Sequence, residues 1–123
     1  MSCTISPSAD GKFIVITVTE SINRESAMGY NRDAHALGAR LGINRYLMDV
    51  FAAVNTDTVY DQHRFAYQDL QDAPEIVRSA RVAILVNPDD HSHDFIETVC
   101  RNAGLDVTIF TRREEAEAHL RRD

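Results

Sequence analysis

Val82-Ala83-Ile84-Leu85-Val86, closed by Asn87-Pro88, is the stretch on which the fold turns. Five consecutive apolar residues without polar alternation read as a strand buried on both faces, and Pro88 cannot continue its ladder. Such a strand belongs in the interior of a sheet covered by helices. Upstream, Tyr46-Leu47-Met48-Asp49-Val50-Phe51 has the same two-sided apolar character, interrupted only by Asp49. The two runs are therefore expected side by side, with Met48 beside Ile84 at the centre of one sheet. Between them, Asn55, Thr56, Asp57 and Thr58 supply N-cap candidates for a helix from about Val59 to Leu70. Its periodicity is poor, because Tyr60, Arg64 and Tyr67 alternate with Phe65 and Ala66. Pro74 ends it or opens a turn.

Further towards the N-terminus, Ala27, Tyr30, Ala34, Leu37 and Leu41 recur at spacings of three and four. They predict a helix from about Arg24 to Leu41, which Gly42 ends in the left-handed conformation. Cys3–Ser6 and a β-branched run from Phe13 through Val15 and Val18 flank Asp10-Gly11, a hairpin signal. On the other side of the central strand, a helix starting near Ser92 buries Phe95, Ile96, Val99 and Ala103 and stops at Gly104. Val107-Thr108-Ile109-Phe110 is a strand. Thr111 and Glu114 form a capping-box pattern for a last helix whose apolar stripe is Ala116, Ala118 and Leu120. The order is ββαβαβαβα, a single α/β domain over residues 1–123. Its mixed sheet has about five strands and about four helices, with parallel pairs joined by right-handed crossovers and an antiparallel edge.

Composition narrows the function classes. With 123 residues, 44% hydrophobic and 26% charged, the chain can bury one core without staples. No apolar run approaches membrane-spanning length, and residues 1–10 carry no secretory pattern, so a cytoplasmic setting is expected. Cys3 and Cys100 lie near opposite ends and read as free thiols. A net charge of -6 argues against nucleic acid, since phosphate contacts need a basic surface. The arginines of residues 112–122 alternate with acids, as on a solvated helix face. No cofactor motif is present: Gly29, Gly38 and Gly42 make neither GxGxxG nor GxxxxGK[ST], and close packing or simple tolerance accounts for glycine within the helix pattern.

The C-terminal third, Arg81 through Val86, Asn87-Pro88-Asp89-Asp90, Asn102-Ala103-Gly104, Val107 to Phe110 and Glu114-Glu115-Ala116, resembles the STAS or SpoIIAA-like superfamily, and the element order extends the resemblance over nearly the whole chain. The resemblance implies the SpoIIAA-like fold and a bacterial regulatory, protein-binding role. In the antagonists that give the family its name, a strand-end Asp is followed eight residues later by Asp-Ser-Ser-Gly, whose second Ser is phosphorylated. Asp49 and Asp57 have that spacing, but the Ser positions fall on Thr58 and Val59 and the Gly on Tyr60. An aliphatic side chain cannot accept a phosphoryl group, so only Thr58, with a register shift of one, could stand in. The resemblance makes Asp49, Asp57, Thr58 and Tyr60 the partner-facing residues.

The residues themselves offer other candidates. Asp89-Asp90-His91-Ser92-His93-Asp94 lies where a strand's C-terminal end meets a helix, the usual ligand position in parallel sheets. Asp90, His91 and His93 could hold a small ligand or a metal if the backbone there is extended; on a helix the imidazoles would diverge by about 200°. The preferred reading is that Asp89, Asp90 or Ser92 caps the helix and both histidines are solvated. Asp49 lacks the acidic pair and the lysine that a receiver-domain phosphoacceptor needs, Lys12 being the single lysine, and is read as accepting backbone hydrogen bonds at the core's edge. Cys100 is read as packing, not as a nucleophile served by His91 or His93. Tyr46, Tyr60, Phe65 and Tyr67 could form a hydrophobic groove for a ligand, but their mixed spacing reads as core and rim, with exposed ones suited to a dimer or partner surface. The sequence thus predicts a non-catalytic module that binds a protein partner or forms a homodimer. Its alternative is a small-ligand or metal site at Asp89 to Asp94.

Overall fold

Right-handed crossovers decide the layering before any side chain is placed. When parallel strands are added in chain order in one direction, every right-handed connection falls on the same face of the sheet. The computed structural model describes residues 3–123 and has that arrangement. Among the described residues one five-stranded sheet runs in the order β1-β2-β3-β4-β5. Strand β1 (Cys3–Pro7) is antiparallel to β2 (Ile14–Val18), and β3 (Arg45–Asp49), β4 (Arg81–Leu85) and β5 (Asp106–Phe110) follow in parallel. The register places Met48 opposite Ile84, within an apolar rung that crosses all five strands: Ile5, Ile16, Met48, Ile84, Ile109.

Helix α1 (Arg24–Leu41) joins β2 to β3, and α4 (Asp94–Asn102) joins β4 to β5. Between β3 and β4 the chain runs through α2 (Val59–Arg64), a π-helical turn (Phe65–Asp69) and α3 (Leu70–Asp72). All three connections pack on one face, where Met28, Ala34, Phe65, Ala66, Leu70, Ile96, Val99 and Cys100 meet Ile14, Ile16, Val18, Tyr46, Val50, Ile84 and Val107. Helix α5 (Arg113–Arg121) leads to no further strand among the described residues and is free to cover the opposite face. There Ala116 and Leu120 pack with Phe13, Leu47, Ala83 and Leu85. Alternation along β4 divides it between the two cores: Ile84 points to the first, Ala83 and Leu85 to the second.

Two glycines of helix α1 show why residue type matters. Gly42 takes φ 71° at the C-cap, the left-handed conformation that favours glycine. At Gly38 the helix has no room for a side chain: a Cβ would overlap the Tyr46 hydroxyl and the Ile43 carbonyl. Gly29 has open space around it, so simple tolerance suffices there. At the other end of the molecule, α5 is held at its C-terminus by two arginines from the sheet: Arg45 Nη1 donates to Leu120 O (2.6 Å) and to Arg122 O, and Arg81 Nη1 to His119 O (3.1 Å) and to Arg122 O. Cationic donors on terminal carbonyls satisfy groups that no helical turn follows. Arg121 reaches Asp10 in the hairpin loop at 2.8 Å, which ties the last helix to the first turn.

The element order and the opening hairpin agree with the sequence reading, and α1 has the predicted bounds. Several local expectations are corrected. The strand read to Phe51 ends at Asp49, because Val50 and Ala53 turn the chain through an Ala53 N to Val50 O bond of 2.9 Å. The helix read to Leu70 continues to Asp72. Thr111 does not cap α5: the N-cap is Arg112, without a side-chain cap bond, and Glu114 is drawn into an ion pair with Arg112 (2.6 Å). Ala118 is exposed, so the buried stripe of α5 is Ala116 and Leu120. No helix among the described residues is long and apolar enough to cross a membrane.

Candidate functional site

The loops that follow β2, β3 and β4 lie at the C-terminal ends of the parallel strands, and hydrogen bonds join them. Residues 50–58 form a short bridge to Ile22, with Ile22 N donating to Val54 O (2.9 Å) and Thr56 N to Ile22 O (2.8 Å). The third loop, 87–93, is tied in by Asn55 N to Ser92 Oγ (2.9 Å) and by His93 Nε2 to Ala53 O (2.8 Å). A buried imidazole donating to a main-chain carbonyl is a structural bolt.

This overturns the expectation that both histidines are solvated. His91 is exposed and bonds Asp94 through Nδ1 at 3.0 Å, whereas His93 is 3% exposed and turned inward, with the Asp90 carboxylate 3.6 Å from Nε2. The capping expectation fails too: the N-cap of α4 is His93, without a side-chain cap bond, while Asp90 Oδ1 accepts from Ser92 N ahead of the helix. Burial works against ionisation of Asp90, but the Ser92 hydrogen bonds and the nearby His93 and His91 outweigh it and hold the carboxyl below its usual value. Asp90, His91 and His93 thus do not converge on one point. Among the described residues no group of three or more His, Cys, Asp or Glu side chains stands where it could hold a metal ion.

The four partner-facing candidates also separate. Asp49 lies on the α5 side of the sheet, where Oδ1 accepts from Phe51 N (3.2 Å) and Oδ2 pairs with Arg113 Nη1 (3.3 Å). The backbone-accepting role read from the sequence holds, and Arg113 adds a partner that no short motif announces. Asp57, Thr58 and Tyr60 gather at the start of α2. Thr58 is the N-cap, its Oγ1 accepting from Asp61 N at 3.1 Å. Asp57 accepts through its main-chain carbonyl from Gln62 Nε2 (3.2 Å), and burial together with the Asp61 charge raises its carboxyl pKa. Tyr60 projects into solvent, 67% exposed, with the Arg64 guanidinium 5.6 Å from its ring centroid. The aromatics divide as well, Tyr46 and Phe65 being buried and Tyr60 and Tyr67 exposed.

Two features escape sequence reading. Phe51, Val54, Val59, Tyr60 and Tyr67 account for five of the seven exposed large apolar side chains among the described residues, and all lie within 51–67. The second is Gln62, 6% exposed and part of the buried line Gln62, Phe65, Ala66, Leu70. The i, i+3, i+4, i+8 spacing of that line was the available signal, hidden because its first member is polar. Cys100 is buried too, and desolvation pushes its thiol up to about 12, which keeps it protonated near neutrality. Comparison of the chain with protein-family models, curated proteins and solved structures returns no match.

Proposed function

We propose that this chain is a SpoIIAA-like, non-catalytic binding module that acts on a protein partner or on a second copy of itself through residues 51–67. The concentration of exposed apolar side chains in that stretch carries the reading. Scattered exposed hydrophobics are ordinary, but a cluster on one loop and the adjoining helix is the composition of an interface. The surrounding loop is also rigid enough to present it. Its backbone is fastened to Ile22, Ser92 and His93, so little ordering entropy is lost on docking. The protonated Cys100 and the Asp49 carboxylate already engaged by Arg113 favour a binding role over catalysis. In this reading Thr58, an exposed hydroxyl at a helix N-cap, is the residue through which phosphorylation would regulate docking.

Sedimentation velocity of the purified chain, with affinity capture from the native host, tests the proposal. Val59→Asp with Tyr60→Ser is expected to weaken self-association or capture at least tenfold while the circular dichroism spectrum stays unchanged. A folded double variant that associates and captures as the parent does would overturn it.

A further inference from the structure

Beneath the same helix, on the crossover side of the sheet, lies a cavity of about 110 Å³. Its wall is mainly apolar, including Ile22, Val50, Phe65, Leu70, Ile84 and Ile96, and it also contains Gln62. The Gln62 carboxamide is fixed in orientation, because Nε2 donates to Asp57 O. That leaves Oε1 buried without any hydrogen-bond partner. A buried acceptor left unmade is costly, and native proteins retain few of them. Other polar side chains on the wall are engaged in the fold: Asn31 donates to Ala27 O, His35 Nδ1 accepts from Val77 N, Asn55 Oδ1 accepts from Asp57 N, Arg78 donates to Gln71 Oε1, His93 holds Ala53 O, and the Asp57 carboxyl faces the Arg24 backbone.

The π-helical turn points the same way. Leu70 N bonds Phe65 O across it, and these two residues, one at each end of the irregularity, both line the cavity. Such turns cost helical regularity and recur at functional sites. A cavity of about 150 Å³ lined by Leu, Ile and Phe takes up benzene, and the space here is of the same order.

We infer that this cavity is a binding site for a small apolar molecule of about benzene size bearing one hydroxyl, which donates its hydrogen bond to Gln62 Oε1. The apolar wall supplies affinity, and Gln62 Oε1, the acceptor on that wall buried without a partner, supplies selectivity for a donor over a plain hydrocarbon. Val77 and Arg78 also line the cavity and are themselves exposed, marking the side from which it is reached.

Phenol and benzene are the probes, titrated into the full chain while the Ile84 and Ile96 methyl resonances are followed by NMR. The expected result is a saturable shift of both methyls, with phenol bound roughly three- to tenfold more tightly than benzene, the worth of one neutral hydrogen bond. Gln62→Met should erase that preference and leave benzene binding intact. Ile96→Phe, which fills the space, should abolish the phenol response and provides the test if the first variant does not fold. The inference is overturned by methyls that do not shift with either probe, by equal affinities in the parent chain, by a phenol preference that survives Gln62→Met, or by unchanged phenol binding in Ile96→Phe.

Discussion

The two faces of this sheet are covered in different ways. On the α5 side a single nine-residue helix presses Ala116 and Leu120 onto Leu47 and Ala83, and all four are 0% exposed. On the crossover side three connections share a larger area and leave a cavity of about 110 Å³ bordered by Leu70. A face covered by one helix can be packed by matching two surfaces. A face covered by three must also fit the helices to one another, and here the misfit is gathered around Gln62 and the π-helical turn. The dense face serves stability, and the looser one has room for a ligand.

Truncating one leucine on each face puts that contrast at risk. Leu120→Ala is expected to cost about 4 kcal/mol in urea unfolding and Leu70→Ala about 2–3 kcal/mol, because a site beside an existing void loses fewer contacts and relaxes more readily. Equal costs would break the comparison. Next in size is Gly38→Ala, where the added methyl overlaps Tyr46 and the Ile43 carbonyl; a loss of about 1–3 kcal/mol is expected. Tyr46→Phe in the same chain should recover only part of it, since the carbonyl stays in place.

A pH titration of stability sharpens the contrast further, since each face holds one histidine whose pKa lies below the usual 6.5. Burial lowers His35 on the crossover side. Burial, then the Arg122 and Arg81 charges, lower His119, which packs beside Phe110 from within α5. The unfolded chain binds protons more readily at both, so stability falls as pH drops below about 6.5 and levels off only below the folded-state values. Thermal melts from pH 7.5 to 5 should show a decline that His35→Gln flattens more than His119→Asn, because His35 is the more deeply buried. A profile untouched by His35→Gln would remove the assignment. The smallest effect is expected at the partly exposed Arg113–Asp49 pair. Arg113→Ala should cost less than about 1 kcal/mol, and even that should fade in high salt.

The sheet was legible because its central strands are apolar on both sides, a pattern that admits few alternatives, and α1 because apolar spacing and Gly42 agree. The site was far less legible. His93 and His91 are two residues apart in a polar cluster, and only the loop beneath decides that one is bolted to Ala53 while the other meets water. Asp49 and Arg113 are brought together by a sheet and a helix distant in the chain, which no local spacing encodes. The end of α2 was blurred for a local reason: the π-helical turn inserts a residue into the periodicity by which helices are recognised. Burial of Gln62 ran against the rule that glutamine belongs outside, and this departure is the one the cavity turns to use.

The attachment of α5 has a consequence for how the chain comes into being. Its carbonyls are grasped by Arg45 and Arg81, and Arg121 clasps Asp10, a residue 111 positions earlier. A chain shortened to residues 1–112 therefore contains β1 to β5 yet lacks the helix that covers Leu47, Ala83 and Leu85. Without α5, one side of the sheet would turn those apolar side chains to water, the kind of patch on which partly made chains aggregate.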